Sequence, residues 1–173
     1  MRCAMTDREY PEFSDGIWDD DEWISWDWIN DKIDEQELRA EYPQADLELV
    51  HIFERLVEVA IDHKALTGNF LQVWGELGEL YAEIKFGVKR HRPMTQGSDG
   101  KIGNDFVEVK TISPEKSAQK VQVKRAGNFS KLLIVKISVG FEFAARIVER
   151  RELGKGSGKF ARMSWHATPK IAK

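Results

Sequence analysis

A mixed α+β (α/β) domain is what the sequence predicts, with a central sheet of four or more strands flanked by helices and an N-terminal helical extension. Two observations carry this. Apolar residues recur at helical spacing between residues 46 and 86, and from residue 96 onward they cluster in short alternating or continuous runs of strand length. Helices first and strands afterwards, with no internal repeat, is the order of an α+β domain. At 173 residues the chain has room for one sizeable core and an appendage. It divides into an acidic, Trp-rich extension over residues 1–45 and a domain over residues 46–173.

Residues 1–21 are polar and rich in turn formers, including Pro11, Ser14-Asp15-Gly16 and Asp19-Asp20-Asp21, and are expected to be loop or partly disordered. Trp18, Trp23, Trp26 and Trp28, with Ile24 and Ile29, are too much apolar surface for a purely disordered tail. They are expected to dock on the domain or on a partner subunit. Residues 22–41 read as one or two short helices ending near Tyr42-Pro43. A helix follows from Asp46 to Leu66, broken at Thr67-Gly68-Asn69, and a second at about 70–86 with Gly87 as its C-cap. Residues 96–112 read as two strands around Gly103-Asn104. Val121 and Val123 mark a short extended stretch, Lys131–Ile137 is a compact apolar strand, and 141–148 and 159–165 are further strands. Ser113-Pro114-Glu115 has the form of a helix start.

No stretch approaches the roughly 18 apolar residues that cross a bilayer, and the start MRCAMTDREYPEF lacks the apolar segment of a secretory signal. Cys3 is the one cysteine, which excludes an internal disulfide and a Cys-based zinc site. A reducing, cytoplasmic setting and no membrane partner are expected. The net charge of −3 hides an asymmetry: residues 1–50 hold 16 Asp/Glu against 4 Lys/Arg, and residues 51–173 hold 13 against 22. A basic body of this kind could attract a polyanion; taken without a motif, the same charge reads as a solvated basic surface.

The chemistry concentrates in Gln96-Gly-Ser-Asp99-Gly-Lys-Ile-Gly-Asn-Asp-Phe-Val-Glu108-Val-Lys110. With Gly103-Asn104 as a two-residue hairpin loop, Ile102 faces Asp105, Lys101 faces Phe106, and Asp99 lies across from Glu108. Opposed side chains share a face with Cβ atoms about 5 Å apart. Period-two alternation puts Lys110 on the face of Glu108 and sends Val107 and Val109 to the other. Two adjacent carboxylates repel, and a divalent cation between them removes that penalty. Oxygen-only ligands suit Mg²⁺ or Mn²⁺, and with a lysine alongside, the set matches metal-assisted phosphodiester hydrolysis. A bare Glu-x-Lys triplet is weak: Glu83-Ile84-Lys85 has the same spacing on a helix, where its ends share no face. The upstream Asp99 in register, the acid-bearing helix before the hairpin and the basic tail after it separate the two. Asp105, only three residues from Glu108, leaves no room for two strands and is expected to shape the turn.

The order of a helix with Gly78-Glu79, then Gly97-Ser-Asp99, then Val107-Glu-Val-Lys110, then Leu132-Leu-Ile-Val135 resembles the PD-(D/E)XK nuclease superfamily over about residues 70–138. The resemblance is greatest to small restriction-endonuclease-like domains, although Ser98 stands where the motif commonly has Pro. It implies a restriction-endonuclease-like core and a Mg²⁺-dependent endodeoxyribonuclease. Asp99 and Glu108 would bind metal, Lys110 would assist water activation, and Glu79 would be the further helix acid and metal ligand, with Glu76 and Glu83 as alternatives. Double-stranded DNA is the implied partner, and a homodimer is compatible with cutting both strands. Lys89, Arg90, Arg92, Gln122, Lys124 and Arg125 are expected to contact nucleic acid. His91 lacks a second His or Cys at ligand spacing and reads as a surface residue. Gly154-Lys-Gly-Ser-Gly158 lacks the form of a phosphate loop, and Phe160 and Trp165 are expected to pack against the sheet. A different class of reading is a catalytically silent nucleic-acid- or protein-binding module of the same fold, regulated by the acidic segment.

Overall fold

The computed structural model describes residues 15–92, 97–154 and 156–167. The loop predicted before Asp15, with Cys3, and the Gln96 that opens the hairpin motif lie outside the described residues. The chain forms two compact units, Met1–Pro43 and Gln44–Lys173.

In the first unit the expected loop before residue 22 is, from Gly16 on, a β-hairpin. Strand β1 (Gly16–Asp19) pairs antiparallel with β2 (Glu22–Ser25), and helix α1 (Trp26–Glu41) follows. Asp20 and Asp21, within the run expected to be loop, form the turn of this hairpin. Asp20 and Asp21 adopt φ of 42° and 66°, the left-handed pair that a tight two-residue hairpin needs and that Asp tolerates. Trp18 and Trp23 are cross-strand partners with ring centroids 5.5 Å apart, edge to face. Ser25 caps α1 by accepting the Trp28 N–H at 3.2 Å. Helix α1 buries no side chain, and Trp26, Trp28 and Ile33 remain exposed.

The second unit is a mixed α+β fold built on a five-stranded mixed sheet. Helix α2 (Leu47–Thr67) starts at an Asp46 cap, which accepts the Glu48 N–H at 3.0 Å, and stops at Gly68 with φ 73°. Helix α3 (Trp74–Phe86) ends at Gly87 with φ 66°. The predicted start at residue 70 is four residues early: Phe70 and Val73 reach the core from the loop before the helix. Glu115 helps set this start, accepting hydrogen bonds from Gln72 Nε2 at 2.8 Å and Trp74 Nε1 at 3.0 Å. Ser113-Pro114-Glu115, predicted as a helix start, is a turn closed by the Lys116 N–H to the Ser113 carbonyl; no helix follows, because Lys120 already opens a strand.

Strands β3 (Lys89–Arg90), β4 (Gly100–Ile102), β5 (Asp105–Ile112), β7 (Lys131–Ile137) and β8 (Phe143–Glu149) stand side by side in that order. All neighbours are antiparallel except β5 and β7, which run parallel from Val107↔Lys131 to Ile112↔Lys136. The central position of β7 explains its continuous apolar run: Leu132 to Val135 are all fully buried, covered on both faces. On one face α3 and residues of α2 pack over Val107, Val109, Leu133 and Val135. Over the other lies a two-stranded sheet of β6 (Lys120–Lys124) and β9 (Phe160–Ser164), which closes a second core around Ile112, Leu132, Ile134, Val121, Val123 and Trp165. Among the described residues no helix is long and apolar enough to cross a membrane.

Helix α3 meets β5 at Gly78, where an added Cβ would collide with the Thr111 side chain. Gly78→Ala is therefore expected to destabilise the protein by about 1–3 kcal/mol through overpacking, although alanine favours helix elsewhere. A thermal melt reads this directly, and an unchanged or raised Tm would contradict the close approach.

Candidate active site

The site grows from the alternation of β5. Val107 and Val109 are locked into the core beneath α3, which turns Glu108 and Lys110 to the side of the β6–β9 sheet, along with Phe106 and Ile112. Lys110 Nζ lies 2.7 Å from Glu108 Oε1 and donates to the Val109 carbonyl at 2.9 Å.

The hairpin turns at Gly103-Asn104, with Gly103 at φ 57°. It pairs Ile102 with Asp105, Lys101 with Phe106 and Gly100 with Val107. One step further, the expected Asp99–Glu108 pair is not a ladder pair. The Asp99 N–H donates to the Val107 carbonyl at 2.9 Å, and its own Oδ2 takes over as backbone acceptor, receiving the Val109 N–H at 2.7 Å. The carboxylate still converges on the same cation, 3.7 Å from Lys110 Nζ. Lys110 thus stands among three oxygens, from Asp99, Glu108 and the Val109 carbonyl. Asp105 is tied elsewhere, to Lys131 at 2.7 Å and to the Ser130 hydroxyl at 3.0 Å. Those contacts hold its carboxyl below the usual range, the Lys131 bond contributing most and the Ser130 bond next.

Glu79, expected as a further metal ligand, lies beside Arg90. Arg90 sits among three carboxylates of α3, 2.7 Å from Glu76, 3.4 Å from Glu79 and 3.0 Å from Glu83. Among the described residues no group of three His, Cys, Asp or Glu comes together closely enough to hold a metal ion. Asp99 and Glu108 converge on Lys110, and Glu79 is engaged by Arg90. Burial first, then the charges of Asp99 and Glu76, push the Glu79 carboxyl above its ordinary value, with Arg90 opposing. Glu79 nonetheless shares a cleft with Lys110 and Thr111.

The residues expected to meet nucleic acid separate into three groups. Gln122 and Lys124 line one cleft of about 730 Å³ with Asp99, Glu108 and Lys110. Lys89 and Arg92 are exposed near the sheet edge, but Arg90 faces α3 and is engaged by its glutamates. Arg125, in the turn just past the end of β6, lines a separate pocket with Phe129, Arg150 and Gly156. His91, read as a surface residue, is half-buried, its Nδ1 3.2 Å from the Ser98 carbonyl and its ring edge-on to Phe106. Trp165 is buried, as expected, under the guanidinium of Arg146. Phe160 is not: it is 41% exposed and lines the cleft of Asp99 and Glu108. Sequence reasoning missed Lys116, Lys120 and Arg162, which border an adjoining cleft of about 580 Å³ that also contains Lys110 and Gln122. The period-two alternation of β6 could have flagged Lys120; nothing local flags Arg162.

No protein-family model matches the chain, and no curated protein matches it either. The chemical capacity of the site rests on its own geometry: carboxylate and carbonyl oxygens around one ammonium, in a cleft that Lys124 also lines.

A carboxyl held above its ordinary value is protonated more readily folded than unfolded. The resulting stabilisation is present below the unfolded value and lost as pH rises through the folded one. Replacing Glu79 with Gln removes that dependence. In a chelator-containing buffer, the Tm of the Glu79→Gln variant relative to wild type is expected to be higher at pH 7 than at pH 4. An equal difference at both pH values would show that burial does not act on Glu79 in this way.

Proposed function

We propose that the chain is a metal-dependent nuclease of PD-(D/E)XK type, with a restriction-endonuclease-like core, that hydrolyses phosphodiester bonds in DNA. The observation that carries this reading is the convergence of Asp99 and Glu108 on Lys110 in a cleft that Gln122 and Lys124 also line.

The donor set fits a hard divalent cation. Lys110 Nζ already marks a place where positive charge is surrounded by the oxygens of Asp99, Glu108 and Val109. Mg²⁺ commonly takes only one or two protein carboxylates, completing its shell with water and phosphate oxygens. Asp99 and Glu108 would hold Mg²⁺ or Mn²⁺, which supplies a water of lowered pKa and polarises a phosphoryl oxygen. The protein's own contributions are positional. The Val109 N–H fixes the Asp99 carboxylate, so that it does not rotate away when a substrate approaches. Lys110 is flexible enough to exchange its carboxylate contact for a phosphate oxygen or an attacking water and to stabilise negative charge that develops during displacement. Glu79, held by Arg90, adds negative potential at the edge of the site. Gln122 and Lys124 receive the phosphates on either side. The choice of DNA follows the resemblance of the motif.

The test is cleavage of plasmid and linear DNA by the full chain with Mg²⁺, with Mn²⁺ and with chelator alone. Cutting is expected with either ion and not with chelator. Asp99→Asn, Glu108→Gln and Lys110→Met are each expected to slow it by about 100-fold or more while leaving the Tm near that of wild type. A chain that cuts neither DNA nor RNA with either ion, and binds neither ion, would overturn the reading in favour of a silent binding module.

A further inference from the structure

The β6–β9 sheet carries two different faces. Val121, Val123 and Ala161 are buried in the second core. The register pairs Gln122 with Arg162 and Lys124 with Phe160, and opposed residues share a face. Lys120, Gln122, Lys124, Phe160 and Arg162 therefore emerge together on the exposed side. That side has no acid: β6 reads KVQVK and β9 reads FARMS. Lys120, Lys124 and Arg162 make no ion pair among the described residues. The surface is continuous with the site, because Lys124 and Phe160 line the same cleft as Asp99 and Glu108. Phe160 stands on this face at 41% exposure and is not among the side chains packed into the second core. Lys159 Nζ lies 5.7 Å from its ring centroid.

We propose that the β6–β9 ribbon is the substrate-binding wall of the cleft and that Phe160 is a stacking platform for an unpaired base beside the scissile phosphate, which makes DNA with a single-stranded segment the substrate class. This rests on the nuclease reading of Asp99, Glu108 and Lys110. Inside a duplex both faces of every base are covered by neighbours, so a protein ring reaches only edges. An unpaired base offers its face, and cations tracking the backbone beside exposed aromatics are how single strands are held. The rival use of a two-stranded ribbon is insertion into a duplex major groove; there Phe160 would have no base face to meet.

The experiment measures binding of the full chain, in chelator so that nothing is cut, to a labelled single strand, a blunt duplex of the same sequence and a duplex with a single-stranded overhang. The wild type is expected to bind the single strand and the overhang more tightly than the blunt duplex. Phe160→Ala is expected to weaken single-strand binding by about 5- to 150-fold with little change for the duplex, and Phe160→Trp to restore it. A strand carrying 2-aminopurine should be quenched by wild type and Phe160→Trp but not by Phe160→Ala. Unchanged single-strand affinity in Phe160→Ala, or tighter binding of the blunt duplex by wild type, overturns the proposal. Cleavage with Mg²⁺ is scored separately, so a chain that cuts but ignores Phe160 sinks this inference alone. One that binds single strands through Phe160 yet never cuts sinks the nuclease reading alone.

Discussion

Everything at the site depends on β5 presenting its two faces to different layers. Val107 and Val109 are buried under α3, and turning either outward would forfeit about 1.5–3 kcal/mol of burial. A slip of one residue would turn both out at once and bury Glu108 and Lys110 in their place. Parallel pairing with β7 adds six register partners, from Val107↔Lys131 to Ile112↔Lys136, and fixes β5 from its other side. Glu108 and Lys110 are thus held in place by the apolar residues that alternate with them. Gly78 completes the arrangement by letting α3 approach Thr111 closely enough to cover the valines.

Charge placement follows from that frame. The negative charges of Asp99 and Glu108 are gathered around one mobile ammonium. A second cluster of carboxylates on α3 is answered by the guanidinium of Arg90, whose planar donors suit several acids at once. Arg90 thereby keeps the glutamates of α3 from adding unopposed negative charge next to the carboxylate pair. The opposite wall, β6 and β9, carries cations without acids. A polyanion entering the cleft meets this wall beside the carboxylates, which would repel it if they stood alone. The first unit has a different chemistry: an acidic hairpin and helix on which Trp18, Trp26 and Trp28 stay exposed, an apolar surface bordered by negative charge.

Local signals in the sequence determined much of this. A two-residue loop at Gly103-Asn104 sets the register of Ile102, Lys101 and Gly100 against β5, because a tight turn leaves no freedom in the pairing that follows it. Alternation of Glu108 and Lys110 with Val107 and Val109 assigns the faces, and Gly68 and Gly87 end their helices in the left-handed conformation. Tertiary structure alone decided the rest. Asp99 leaves the ladder because its carboxylate replaces a backbone acceptor, and Arg90 turns from solvent to α3 because three acids on successive helical turns await it. Phe160 and Arg162 come to the cleft only through the pairing of β9 with β6, some forty residues apart in the chain. Nearby residues are constrained by backbone geometry that any reader of the sequence can reconstruct. Distant ones meet only where the packing of the whole fold makes their contact favourable, and no local pattern records that balance.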